Sequence, residues 1–242
     1  GVSCADLDGD GRPDLAWAGD DGALRAVRAN GQAVPGFPVP GIRVADGLLA
    51  VGDMHPNPGV EIALGTVDGR VHLLSRAEGG TWKDLPGFPV RTEFTVSGGP
   101  IMADLDADGE VELAFGSQDF NVFAVRRDGA LLPGFPVRTG YRVYAQPAAG
   151  DLDGDGKADV IVAGGDGVVY ALKADGTAVP GWPVTAGGRM LASPAVGDLD
   201  ADGTPEVVAC GGDGRLHVWR SNGQALGGFP VTPGGGLSSA PV

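Results

Sequence analysis

The sequence predicts an all-β protein, a β-propeller of five four-stranded blades. Three observations carry that expectation. A nine-residue acidic loop recurs with a near-constant period, β-branched and alternating runs lie between its copies, and Asp-Gly hairpin signals punctuate those runs.

The loop first reads Asp6-Leu7-Asp8-Gly9-Asp10-Gly11-Arg12-Pro13-Asp14, and intact copies start at Asp104, Asp151 and Asp198. A diverged copy starts at Asp53, so successive first aspartates are 47, 51, 47 and 47 residues apart. Periods of this length with strand-like content mark propeller blades. The fourth repeat shows what each period encodes. Pro147–Gly150 predicts a short strand entering the loop, and Val160–Ala163 a buried β-branched strand. Asp166-Gly167 predicts a tight hairpin, Val168–Leu172 a third strand and Asp175-Gly176 a second hairpin. Val179–Val184 carries prolines and predicts an edge strand. No helical periodicity is present. The chain is therefore expected to be one domain, 1–242, with repeats at about 1–46, 47–97, 98–144, 145–191 and 192–242. The second repeat carries extra residues around Ala77 to Trp82.

Both chain ends are in register with the repeat. Gly1–Ala5 leads into the first loop, and Ser238–Val242 matches the strand that precedes a loop. The expected closure puts this C-terminal strand into the first blade and leaves no exposed edge. The alternative is a fragment of a seven- or eight-bladed propeller.

Carboxylates at loop positions 1, 3, 5 and 9 converge on one point and repel each other unless a hard cation sits among them. The pattern differs from an EF-hand, whose bidentate glutamate at position 12 is here Trp17, Phe115, Val162 or Ala209. Position 7 varies freely (Arg12, Glu110, Lys157, Thr204), as expected of a residue that lends only its backbone carbonyl. Position 6 is glycine in all four intact loops, which permits the positive φ of a tight turn. About four Ca²⁺ ions are thus expected. The first is assigned to Asp6, Asp8, Asp10, Arg12 and Asp14; the second to Asp104, Asp106, Asp108, Glu110 and Glu112. The third is assigned to Asp151, Asp153, Asp155, Lys157 and Asp159; the fourth to Asp198, Asp200, Asp202, Thr204 and Glu206. In the diverged loop His55 and Asn57 replace aspartates between two prolines, and that loop is expected to hold no metal.

The loop and its flanks, as in PAAGDLDGDGKADVIVAGG, resemble FG-GAP/VCBS repeats, the calcium-loop propeller of integrin α-chains and of many bacterial secreted proteins. The resemblance extends over nearly the whole chain. It implies calcium between the first and second strands of a blade, at positions 1, 3, 5 and 9 of the intact loops. The Phe-Gly of the family name survives only as Phe115-Gly116, and strings such as Gly164-Gly165-Asp166 stand where the family has Gly-Ala-Pro. The family usually has seven blades, which is the reason for the alternative to a five-bladed ring.

The formal net charge is −14, and 18 of the 31 acids sit at positions 1, 3, 5 and 9 of the loops, so four dications would bring it to about −6. The acidity is mainly a metal-site signature, and no basic stripe supports nucleic-acid binding. No apolar run is long enough for a transmembrane helix, so direct membrane insertion is not expected. Weak calcium sites need millimolar calcium, which points to an extracellular or periplasmic location. The glycine at position 1 suggests a mature or excised segment. Cys4 and Cys210 lie in apolar strands and are expected as two buried thiols, with a disulfide as the alternative.

Other repeated residues have structural readings. Phe37, Phe88, Phe135, Trp182 and Phe229 are expected to anchor each outer strand to its neighbour. Asp21, Asp68, Asp119, Asp166 and Asp213 mark hairpins; in the third, Phe120 replaces glycine, and Asn121 is expected at the positive-φ position. His72 and His217 are expected to pack. The connections between blades vary more: Ile42-Arg43-Val44, Phe94, Tyr141-Arg142-Val143-Tyr144 and Arg189-Met190. They are expected on the face opposite the calcium loops, where Arg43, Tyr141, Arg142, Tyr144 and Arg189 are candidate ligand-binding residues. No catalytic constellation is readable. The expected function is a non-catalytic secreted module that recognises a protein or glycan. The alternatives are the propeller of a polysaccharide-degrading enzyme such as a lyase, and a structural spacer.

Overall fold

The computed structural model describes residues 1–54 and 59–233. Every described element is a strand, and the strands form five antiparallel sheets. The first holds β1 (Ser3–Ala5), β2 (Asp14–Ala18), β3 (Ala23–Val27) and β4 (Val39–Pro40) in chain order. The second holds β5 (Val44–Gly52), β6 (Glu61–Thr66), β7 (Arg70–Arg76) and β8 (Trp82–Asp84), with β9 (Val90–Arg91) also paired to β7. The third is β10 (Ile101–Ala103), β11 (Glu112–Gly116), β12 (Asn121–Val125) and β13 (Val137–Arg138). The fourth is β14 (Ala148–Gly150), β15 (Asp159–Ala163), β16 (Val168–Leu172) and β17 (Val184–Thr185). The fifth is β18 (Ala195–Gly197), β19 (Glu206–Cys210) and β20 (Leu216–Trp219), and Leu216 also bridges to Val231 in the outer position.

The extra residues of the second repeat make β8, a strand without a counterpart in the other sheets. The outer strands are shorter than the sequence suggests. The fourth is only Val184–Thr185 plus a bridge from Leu172 to Ala178, because Pro180 and Pro183 have no N–H to give a ladder.

Four apolar clusters form the core, one at each junction between successive sheets. The first joins Leu7, Leu24 and Val34 of one blade to Ile62, Leu64 and Leu74 of the next. The second joins Met54, Val71 and Leu73 to Leu113 and Phe115; the third joins Leu105, Val122 and Leu132 to Val160 and Val162. The last joins Leu152, Ile161 and Trp182 to Val207 and Trp219. Burial is thus mostly between sheets, as stacked repeats require.

Position 2 of the loop faces the following blade, and Leu7, Met54, Leu105 and Leu152 are buried there, while Leu199 of the last blade is 56% exposed. Position 10 faces the preceding blade, and Ile62, Leu113, Val160 and Val207 are buried, while Leu15 of the first blade is 43% exposed. Among the described residues, the outer sides of the first and fifth sheets are therefore uncovered. β1 already fills the inner position of the first sheet, the place expected for 238–242, which lie outside the described residues.

At the rim, each Pro-Gly-aromatic turn lies on the hairpin of the next blade. A Cβ on Gly36, Gly87, Gly134 or Gly181 would fall 1.8–1.9 Å from a carbonyl oxygen of Gly80, Asp128, Asp175 or Asn222. The aromatic after these glycines works as expected: Phe37 packs on Trp82 at 5.2 Å, Phe88 and Phe135 join the second and third junction clusters, and Trp182 donates Nε1–H to the Ser221 carbonyl at 2.8 Å. One expectation fails. Cys4 is an exposed thiol on β1, because no described blade covers that side of the first sheet; Cys210 is buried, and burial raises its thiol pKa.

Candidate functional site

The strand register explains how the loop closes. Ala5 pairs with Asp14, Gly52 with Glu61, Ala103 with Glu112, Gly150 with Asp159 and Gly197 with Glu206. Position 9 is therefore the first residue of the second strand, opposite the residue just before position 1. One loop must turn back on itself within nine residues. It does so with two left-handed residues: position 4 (Gly9, Ala107, Gly154, Ala201) and the expected glycine at position 6.

The same hydrogen bonds recur in each intact loop. The position 6 N–H donates to the position 1 carboxylate at 2.8–3.0 Å, as in Gly11 to Asp6 and Gly109 to Asp104. The position 7 N–H donates to the position 5 carboxylate at 2.8–3.0 Å. Position 9 is buried in all five blades, and one of its oxygens accepts the N–H of position 2: Leu7 to Asp14, Met54 to Glu61, Leu105 to Glu112, Leu152 to Asp159 and Leu199 to Glu206. This role was not read from the sequence, although the acid at position 61 of the diverged loop is the signal for it. His55 and Asn57 lie outside the described residues.

Among the described residues, four sets of carboxylates gather within 4.8 Å: Asp6, Asp8 and Asp10; Asp104, Asp106 and Asp108; Asp151, Asp153 and Asp159; Asp198, Asp200 and Glu206. Positions 1 and 3 are common to all. Position 5 completes the first two groups and position 9 the last two, so Asp14, Glu112, Asp155 and Asp202 stand outside the tight sets. Glu110, the one acid at position 7, stands outside the second set.

The donors fit a hard cation. Asp104 Oδ1, Asp106 Oδ1 and Glu206 Oε1 are buried and make no hydrogen bond, a costly state for a carboxylate oxygen that a bound cation would relieve. All-oxygen donor sets suit Ca²⁺, Mg²⁺ or Mn²⁺ rather than softer ions. Electrostatics agree. Burial pushes Glu112 up to about 7 and Asp159 up to about 6, with the neighbouring loop aspartates adding to the rise and the position 2 N–H opposing it. Asp14 is likewise raised by burial, whereas the Gly11 N–H helps hold Asp6 below its ordinary value.

The opposite face is built from the Asp-bearing hairpins and the inter-blade connections. Phe94 is 52% and Tyr141 42% exposed, and Arg43 and Arg189 are exposed. Arg142 lies 5.7 Å from the Phe94 ring centre and Arg189 4.4 Å from that of Tyr144. Arg142 also donates to Gln118 Oε1 at 3.3 Å. Ile42, Val143 and Met190 are buried instead of facing solvent, because alternate residues of each connection turn into the blade junctions. Phe120 was not among the candidate residues of this face, and the positive φ expected of Asn121 falls elsewhere. Phe120 itself takes the positive φ, 73°, and Asn121 begins β12. The Phe120 ring meets Tyr141 edge-on at 5.5 Å and lies 5.4 Å from the Arg138 guanidinium, and the Phe120 carbonyl accepts the Thr139 N–H at 2.8 Å. A phenylalanine where the other hairpins have glycine was the available signal.

The two histidines do more than pack. His72 Nδ1 meets Asp84 at 2.9 Å, and His217 lies 3.3 Å from Asp213 while stacking on Trp219. Tyr170, at the equivalent position of the fourth blade, donates to Asp166 at 2.6 Å, and burial together with that bond pushes it up to about 12.

These sheets and loops define an all-β repeat protein with a β-propeller-type fold. Residues 151–209, spanning the loops from Asp151 and Asp198, match the family model described as FG-GAP-like repeat. Solved structures support the fold. The biofilm matrix protein Bap1 of V. cholerae superposes with a TM-score of 0.65 at 19% identity, covering 93% of this chain and 38% of that one. BBS1N, crystallised in complex with ARL6DN, gives 0.65 at 15% identity over 97% of this chain and 68% of that one. BamB from Moraxella catarrhalis gives 0.50 at 21% identity over 74% and 47%. No curated protein matches the chain. No described helix is long and apolar enough to cross a membrane.

Proposed function

We propose that the chain is a calcium-stabilised, non-catalytic propeller, secreted or displayed at the cell surface, that recognises a protein or glycan through the face opposite its acidic loops. The two faces divide the work. The loops repeat almost unchanged and present hard oxygen donors, which suits a scaffold ion. The other face varies from blade to blade and carries arginines set against aromatic rings. The Phe94–Arg142 and Tyr144–Arg189 pairs, beside an exposed Tyr141, are the observation that carries the recognition reading. Rings with an adjacent guanidinium are frequent anchors in protein interfaces.

The test is a glycan and protein array probed in calcium, with the Tyr141→Ala/Arg142→Ala double variant beside the wild type. The expected result is a hit whose affinity falls by about 2 kcal/mol in the variant, with melting temperature and calcium uptake unchanged. A variant that stays folded and binds normally refutes this face. Turnover of an acidic polysaccharide in the same samples would favour a lyase.

A further inference from the structure

A basic residue closes the third strand of each blade that has an intact loop. Arg28, Arg126, Lys173 and Arg220 all follow their loop's first aspartate by 22 residues. Each is fixed by the turn it opens, donating its N–H to Gln32, Ala130, Thr177 and Gln224 in turn at 2.8 Å. In the second blade, with its diverged loop, the residue 22 after Asp53 is the uncharged Ser75 and the turn opens at Ala77; Arg76 between them donates to the Asp8 carbonyl of the first blade at 2.9 Å.

Three of the four bases reach the loop's third position. Arg28 Nε donates to Asp8 Oδ2 at 2.7 Å. Lys173 pairs with Asp153 and lies 3.3 Å from Asp155. Arg220 lies 3.4 Å from Asp200 and 3.5 Å from Asp202. In the third blade Arg126 lines a cleft with Asp106, and its neighbour Arg127 pairs with Glu110 at 3.0 Å. Position 3 is also a member of every converging carboxylate group, so the base and a cation would share it.

We infer that this residue is a built-in counterion: it holds the acidic loop closed when no metal is bound and sets the loop's calcium affinity by sharing the position 3 carboxylate. The inference rests on the calcium reading of the loops. Its physical basis is simple. A few like charges crowded within 4.8 Å need a positive partner to stay folded, and a fixed positive charge beside the same oxygens repels an arriving dication. The two effects of removing the base therefore have opposite signs, which a merely structural residue does not produce.

The experiment uses the whole chain and the variants Arg28→Met, Lys173→Met and Arg220→Met, singly and combined, with Arg91→Met as a charge control away from the loops. Calcium is titrated by calorimetry, and melting is followed in chelator. Each variant is expected to tighten one class of site about fivefold. In chelator each is expected to melt about 2–4 °C lower than wild type. The control should do neither. Calcium affinity that is unchanged or weaker, or an unchanged melt in chelator, overturns the inference while leaving the calcium reading intact. A wild-type chain that takes up no calcium overturns the calcium reading; the counterion role is then decided by the chelator melt alone.

Discussion

Glu112→Gln should change stability in opposite directions with and without calcium. Glu112 starts β11, buried, with Oε2 accepting the Leu105 N–H at 2.9 Å. Burial is the main cause that lifts its pKa from 4.5 to about 7, helped by Asp106, Asp108 and Asp104. A carboxyl raised in the fold favours the fold below about pH 4.5 and loses that contribution as pH rises through about 7. At pH 8 the metal-free protein must keep the charge in a place that resists it, at a cost of about 1–2 kcal/mol after allowance for solvent screening. Glutamine keeps the shape and the acceptor oxygen without the charge. In chelator the variant should therefore melt about 3 °C above wild type. Calcium at 100 times its Kd adds about 2.7 kcal/mol to an intact site, and the variant forgoes most of it if the Glu112 carboxylate moves in to join Asp104, Asp106 and Asp108 on the ion. There the order should invert, the variant melting about 3 °C below wild type. Differential scanning calorimetry in chelator and in calcium at pH 8 reads both values. An equal drop in the two conditions would show that Glu112 is only a strut for Leu105, and the reasoning would fail.

Two further outcomes follow from the same geometry. The raised pKa of Glu112 and Asp159 means calcium must displace protons near pH 6 but not at pH 8.5; titrations in buffers of different ionisation heat should show proton release only at the lower pH. At the rim, Gly134→Ala should cost about 3 kcal/mol or more, because its Cβ would lie 1.8 Å from the Asp175 carbonyl as well as needing φ +82°. Gly228→Ala has the same left-handed backbone but nothing within 4 Å, and should cost only about 1–2 kcal/mol. Similar losses in urea melts of the two would refute the blade-to-blade role of this turn.

Much of this fold was legible because its signals are local. Hairpins at Asp166-Gly167 and Asp175-Gly176, and the strand Val168–Leu172, depend on residues next to each other in the chain. The convergence of positions 1 and 3 is local for the same reason. What the sequence hid depends on neighbouring blades. Ile42 and Met190 resemble surface connection residues, yet each turns into a junction with a blade some distance away in sequence. Cys4 reads as core by its apolar strand, but no described blade covers that side. The ion pairs from Arg28, Lys173 and Arg220 bridge about twenty residues and emerge only once the third strand is laid beside the loop. The split between position 5 and position 9 in completing the carboxylate groups likewise follows from loop geometry and not from residue identity.

The direct test of the calcium account is a metal count. The chain is stripped with chelator, dialysed and titrated with CaCl₂ in a calorimeter, with the melting temperature read before and after. Four converging carboxylate groups predict four calcium ions per chain and a melt that rises on addition and falls again with chelator. A stoichiometry near zero, with a melting temperature that chelation does not move, would contradict it.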